Sequence, residues 1–242
     1  MVSYQLIRSD RRKTLGLQVK LGKVVVRAPN YVSEKVIDDF ISQKSAWLRA
    51  KIDEQQTVYD EDCCTFRHGC NILFKGDLHT LVIDFSPKPN TYPGTDEQGN
   101  KYLVVELANR QKEKARSAQT QALMVKKQLE SFYKQHAQNT IPQRLADLSE
   151  LTSLFPSAYK IRQYKSRWGS CNNRGELSFN YLLLMAPSHI IDYVIIHELC
   201  HLKHLNHSTD FWQLVAYYYP EFKMAKYWFK QHQSQLQWLA PR

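Results

Sequence analysis

The chain has 242 residues, 43% of them hydrophobic and 23% charged, close to the soluble globular average. That balance excludes a wholly disordered chain, its eight glycines exclude a collagen-like one, and its apolar stretches are too short to cross a bilayer. The formal net charge is +10, with the Lys/Arg excess lying mainly beyond residue 110; such a field attracts anions but says nothing about fold.

The N-terminal basic cluster of Arg8, Arg11, Arg12 and Lys13 runs into an alternating segment, not the apolar block of a secretory signal, so a cytoplasmic location is expected. Thr14–Leu21 alternates with period two and Lys23–Arg27 follows after Gly22, which predicts a hairpin. Ser33 is placed to cap a helix running to about Glu54, with Val36, Ile37, Phe40, Ile41, Trp47 and Leu48 as its apolar stripe. Strands are expected near Thr65–Phe74, Thr80–Phe85 and Lys101–Leu107, and Ser86–Asn100 has the Pro, Gly, Asn and Asp content of an exposed turn region. The cysteines at 63, 64, 70, 171 and 200 are odd in number and unevenly spaced, which argues against a disulfide framework. Cys63, His68 and Cys70 read better as part of a strand with small apolar thiols than as metal ligands.

Beyond Arg110 a long helix is expected over roughly 111–139, with Leu123, Leu129, Phe132 and Tyr133 giving a partial apolar face. Pro142 opens a second helical piece and Pro156 ends that region. Tyr159–Tyr164 and Glu176–Leu184 read as strands flanking the loop Lys165–Arg174. Three helices close the chain: from Pro187-Ser188 to about Leu205, from Thr209 to Tyr219, and after Pro220. Two domains follow from this pattern, an N-terminal α/β domain over 1–110 and a second domain over 111–242.

The chemistry centres on His197-Glu198-Leu199-Cys200-His201, an H-E-x-x-H motif. Residues four apart project from one helical face, so two imidazoles can converge on one metal, and Glu198 adjoins that face as a general base. A metal with an open position needs a third protein ligand. His207 lies ten residues after His197, His204 shares the helix face, and Glu221 comes from a later helix. If the helix continues, His204 sits about 10 Å along the axis from His197. Turn chemistry favours His207: Asn206 tolerates the left-handed conformation that ends a helix, and Ser208 or Thr209 can cap the next one.

The run Ser166-Arg167-Trp168-Gly169-Ser170-Cys171, then Leu177-Ser178-Phe179-Asn180, the H-E-x-x-H motif with Leu202, and Asn206-His207-Ser208 with Phe211-Trp212 resembles the YgjP-like metallopeptidase family, which is related to SprT-like and other minimal zincins. The resemblance reaches Arg27-Ala28-Pro29 and Lys44-Ser45-Ala46-Trp47 near the N-terminus. It implies a Zn²⁺ site of His197, His201 and His207, with Glu198 as catalytic base. The fold class expected is α+β: an N-terminal strand-and-helix domain followed by a minimal zincin-like core built around the H-E-x-x-H helix. The glycine that metzincins place at the position of His204 is absent.

The loop Lys165–Arg174 brings Lys165, Arg167 and Arg174 together and could hold an anionic group, Arg167 by bidentate hydrogen bonds and Lys165 as a point charge. Arg167, Tyr164 and Tyr181 are the candidates for oxyanion stabilisation, and Lys165, Arg167 and Tyr181 those for substrate binding. The C-terminal aromatics interleaved with Lys223, Lys226 and Lys230 invite a nucleic-acid partner, yet no recognised nucleic-acid-binding motif is present. The expectation is a zinc-dependent hydrolase, a metallopeptidase acting on peptide or protein. Alternatives are a phosphohydrolase acting on nucleotides or another anionic substrate, and a non-catalytic module stabilised by its metal. No membrane partner is expected.

Overall fold

The computed structural model describes residues 3–20, 23–52, 65–164, 167–232, 235, 236 and 238. Two compact units divide between Cys63 and Cys64. In the first, the alternating segments form β2 (Gly16–Lys20) and β3 (Lys23–Ala28), which pair antiparallel with Val19 opposite Val24, as the hairpin pattern predicts. Strand β1 (Tyr4–Arg8) adds parallel to the other edge of β3, giving the order β1-β3-β2. The expected single helix after Ser33 is two. Helix α1 (Glu34–Gln43) ends at Lys44, whose amide bonds back to Phe40 and Ile41, and α2 covers 45–52. Ile37, Ile41 and Leu48 join Val24, Val26 and Ala28 in a small core, while Val36 and Trp47 of the expected stripe stay exposed.

The second unit begins upstream of the boundary expected at 110. Strands β4 (Asn71–Phe74), β5 (Asp77–Ser86), β6 (Asn90–Thr95) and β7 (Lys101–Ala108) form a sheet of order β4-β5-β7-β6, with β5 and β7 parallel. The first strand starts later than expected, because Phe66 is buried in a left-handed backbone conformation at φ 56°. His68 accepts the Ile83 amide through Nδ1, so it serves the backbone. The presumed turn region contains β6. Pro93 lacks an amide hydrogen but is tolerated on this edge strand, and Gly94 leaves the space that the Tyr102 ring occupies.

Helix α3 (Ala118–Thr152) runs unbroken through Pro142. An interior proline costs about 3 kcal/mol. The buried stripe Val125, Leu129, Tyr133, Ala137, Ile141, Leu145 and Leu148 continues on both sides of it, so packing outweighs the break. Leu123 faces solvent. Gln128 Nε2 donates to the Asn90 and Glu106 carbonyls, and the Tyr133 hydroxyl donates to the Leu73 carbonyl, fastening α3 to the four-stranded sheet.

The chain then forms β8 (Ala158–Arg162), β9 (Gly169–Cys171) and β10 (Glu176–Asn180), in the order β8-β10-β9. The loop expected between two strands thus contains a third. Strand β10 stops at Asn180, whose side chain accepts the Leu182 amide and turns residues Tyr181–Met185 into a 3-10 helix. Helices α4 (Ser188–Cys200), α5 (Thr209–Tyr218) and α6 (Phe222–Gln231) complete the unit. Arg144 grips Asp192 with two hydrogen bonds of 2.9 and 2.8 Å, locking α3 to α4. Side chains from β4, β5, β7, α3 and α4 share one core, which is why the compact unit reaches back past residue 110.

Candidate metal centre

Helix α4 is apolar nearly all round: Ile190, Ile191, Tyr193, Val194, Ile195, Ile196, Leu199 and Cys200 are all buried. Such a helix belongs inside a domain, and its few polar side chains need a reason to be there. Asp192 has Arg144. Ser188 and His189 face solvent at its start, and the others are His197, Glu198 and, at the helix terminus, His201.

The helix stops one turn earlier than expected. Amides of Leu202, Lys203 and His204 fold back onto Leu199 and Cys200, and His201 Nδ1 bonds to the His204 carbonyl at 2.9 Å. Asn206 does not adopt a left-handed conformation, so the reversal predicted there is made by this tightened turn instead. Ser208 caps α5 by accepting the Phe211 amide at 3.3 Å, as expected.

The turn carries His207 to the two helix histidines. Its Nε2 lies 3.1 Å from His197 Nε2, and one nitrogen from each of His197, His201 and His207 falls within 4.8 Å of the others. This is the group of possible metal ligands among the described residues. His204 contributes its carbonyl, and Glu221 sits at the start of α6, outside the group.

The donor set suits a divalent cation. Tetrahedral bonds of about 2.0–2.1 Å place ligand nitrogens about 3.3 Å apart. Two ring nitrogens at 3.1 Å need a shared proton or a shared cation between them. Burial pushes His197 down to about 3, with the other two rings and Lys226 adding to the effect. It is therefore neutral and has a lone pair to give. Burial also lowers His201. A hydrogen on its Nδ1, given to the His204 carbonyl, leaves Nε2 as the ligand atom. His197 Nδ1 is buried without a hydrogen-bond partner among the described residues.

Glu198 is 5% exposed, and its Oε2 has no hydrogen-bond partner among the described residues. Burial raises its carboxyl to about 8, against the pull of Arg167. The side chain lies against β9 at Gly169, where a Cβ would come within 2.5 Å of Oε1 and 2.6 Å of Cγ. Only glycine permits that approach. Aromatic rings hold the histidines: Phe211, fully buried, stacks on His201 at 4.4 Å, and Trp212 stacks on His207 at 5.6 Å.

Tyr193, one turn before His197, packs edge-on to it at 5.9 Å, and burial together with the Glu198 charge raises its phenol to about 12. Helical spacing could have pointed to it. The close approach at Gly169 left no such signal. Tyr164 hydrogen-bonds Ser170 Oγ at 2.8 Å, while Arg167 is exposed beside it. Tyr181 is buried on the 3-10 helix, where burial first and then the negative charge of Glu130 of α3 raise its phenol. Lys165 lies outside the described residues.

Three imidazoles converge beside a buried carboxylate, and together they are positioned to bind a metal ion. The chain belongs to the YgjP-like family, whose metallopeptidase-domain model matches residues 13–232. Two solved structures are similar to part of this chain. The metallopeptidase zymogen abylysin of Pyrococcus abyssi is 23% identical and covers 39% of this chain and 96% of its own, with a TM-score of 0.36. The metallopeptidase zymogen jannalysin of Methanocaldococcus jannaschii is 20% identical and covers 38% of this chain and 96% of its own, with a TM-score of 0.35. Among curated proteins none matches. No helix among the described residues is long and apolar enough to cross a membrane.

Proposed function

We propose that this protein is a zinc peptidase of minimal zincin type, with its catalytic apparatus in residues 111–242 and the sheet β4–β7 as structural backing. The observation that carries this reading is the convergence of His197, His201 and His207 beside Glu198. A zinc ion held by these three residues would supply Lewis acidity at the reacting centre. His197 and His201 are kept neutral by burial and so remain good donors. Glu198 accepts a proton from the attacking water and delivers it to the leaving amine. Its buried, partnerless Oε2 raises its affinity for that proton.

Among the described residues strand β9 is the edge of its sheet, paired only with β10, and it touches Glu198 through Gly169. An extended peptide adding to the open side of β9 would bring its backbone past the carboxylate, with main-chain hydrogen bonds supplying affinity and register. The thiols of Cys171 and Cys200 accord with a reducing compartment, the cytoplasm.

Glu198→Gln separates the roles. It preserves shape and removes the base, so zinc content by mass spectrometry stays stoichiometric while peptide turnover falls on the order of 10²–10⁴-fold. Loss of the metal in this variant would make Glu198 a ligand and overturn the assignment.

A further inference from the structure

The basic loop before β9 and the last helix have no sequence relation, yet they meet. Trp168 stacks on Phe229 of α6 at 5.4 Å with 23° between the planes. The loop backbone is pinned from below. Asn180, 3% exposed, donates its side-chain amide to the carbonyls of Tyr164 and Arg167, and its backbone amide to that of Trp168.

Each of the two elements carries a cation to the site. The Arg167 guanidinium lies 5.5 Å from the Tyr164 ring centre, two residues before the glycine that touches Glu198. The Lys226 ammonium lies 4.4 Å from the centre of Trp212, the ring stacked on His207. Both residues are exposed, and neither has an ion-pair partner among the described residues. Their charges reach different members of the centre, Arg167 acting on Glu198 and Lys226 on His197. Asp192 is engaged by Arg144. Two cations beside a site for a divalent ion, with Glu198 as the carboxylate against it, leave the cleft short of negative charge.

We infer that Arg167 and Lys226 form a two-sided rim that binds a carboxylate, so that the preferred substrates are acidic peptides with a carboxylate beside the scissile bond. The inference rests on the peptidase reading and deepens it. A planar guanidinium matches a carboxylate in a bidentate fork, and the ammonium adds a point charge from the opposite element. The start of α5 offers no ready phosphate cradle, because Ser208 already occupies the Phe211 amide. The carboxylate has two sources, an Asp or Glu side chain within the peptide or its free C-terminus.

The test uses the full chain and matched peptides: Glu against Gln beside the cleaved bond, and C-terminal acid against amide. Binding to metal-free protein is read by intrinsic tryptophan fluorescence, to which Trp168 and Trp212 contribute, and cleavage by the zinc-loaded protein is scored separately. One carboxylate member should bind about tenfold tighter than its neutral twin, the preference shrinking with salt. Whichever pair shows it names the source. Arg167→Gln with Lys226→Gln should erase most of the preference, whereas Lys226→Arg keeps it. Equal binding of both pairs overturns the rim, and so does inorganic phosphate that displaces the acidic peptide more effectively than acetate does. Cleavage without carboxylate preference sinks the rim and leaves the peptidase reading standing. Preference in binding with no peptide cleaved does the reverse.

Discussion

His201 and His207 reach the same point by opposite routes. His201 ends a helix buried on every side; it is 8% exposed, stacked on Phe211 and tied through Nδ1 to the His204 carbonyl. His207 sits on an exposed turn, and its ring is steadied by Trp212 and by its approach to His197. One ligand is fixed by the core, the other by neighbours at the surface. A centre built this way draws geometric precision from its helix and tolerance from its turn.

Replacing each ligand in turn gives the sharpest measure of that asymmetry. Truncating His201→Ala should weaken zinc binding on the order of 10³-fold, since it removes a preorganised donor whose place no other side chain can take. His207→Ala should cost about tenfold less, because water can enter the vacated position from solvent. Competition with a chelator reads both, and a larger loss for His207→Ala would invert the comparison. An effect on turnover and not on metal is expected from Gly169→Ala. The added methyl would overlap Glu198, and displacing that carboxylate by even about 1 Å should lower kcat about 10²-fold with zinc still bound. Trp212→Leu removes the ring behind His207, and zinc affinity should fall about tenfold, the low end for groups that support a ligand. Least affected is Arg144→Met, whose partly exposed grip on Asp192 contributes roughly 1 kcal/mol to stability in a urea titration. If Arg144→Met loosened zinc as much as Trp212→Leu, the helix side of the centre would be less rigid than the comparison holds.

What the sequence revealed follows the same division. His197, Glu198 and His201 were legible because helical spacing is a local rule, and the hairpin of β2 and β3 because alternation is another. His207 was reached through its offset, although the Asn206 conformation used to support it does not occur. The setting of Tyr181 was not legible, because β10 stops one residue short of it. Its true surroundings depend on Asn180 starting a 3-10 helix toward α3. Pro142 and Pro93 marked breaks that packing overrode in one case and an edge position excused in the other. The contacts of Gly169 with Glu198 and of Lys226 with Trp212 join residues far apart in the chain, and no periodicity reports such a meeting.

The unbroken course of α3 has a consequence for anyone dissecting this protein. At about 1.5 Å per residue its 35 residues span about 50 Å, and along that length one helix serves as the hydrophobic backing of the four-stranded sheet and of α4. Severing the chain between Arg110 and Gln111 would strip β5 and β7 of their cover and leave Val125, Leu129 and Tyr133 facing water. Neither fragment would stay monomeric in solution, whereas a cut made within 53–64 spares that shared girder.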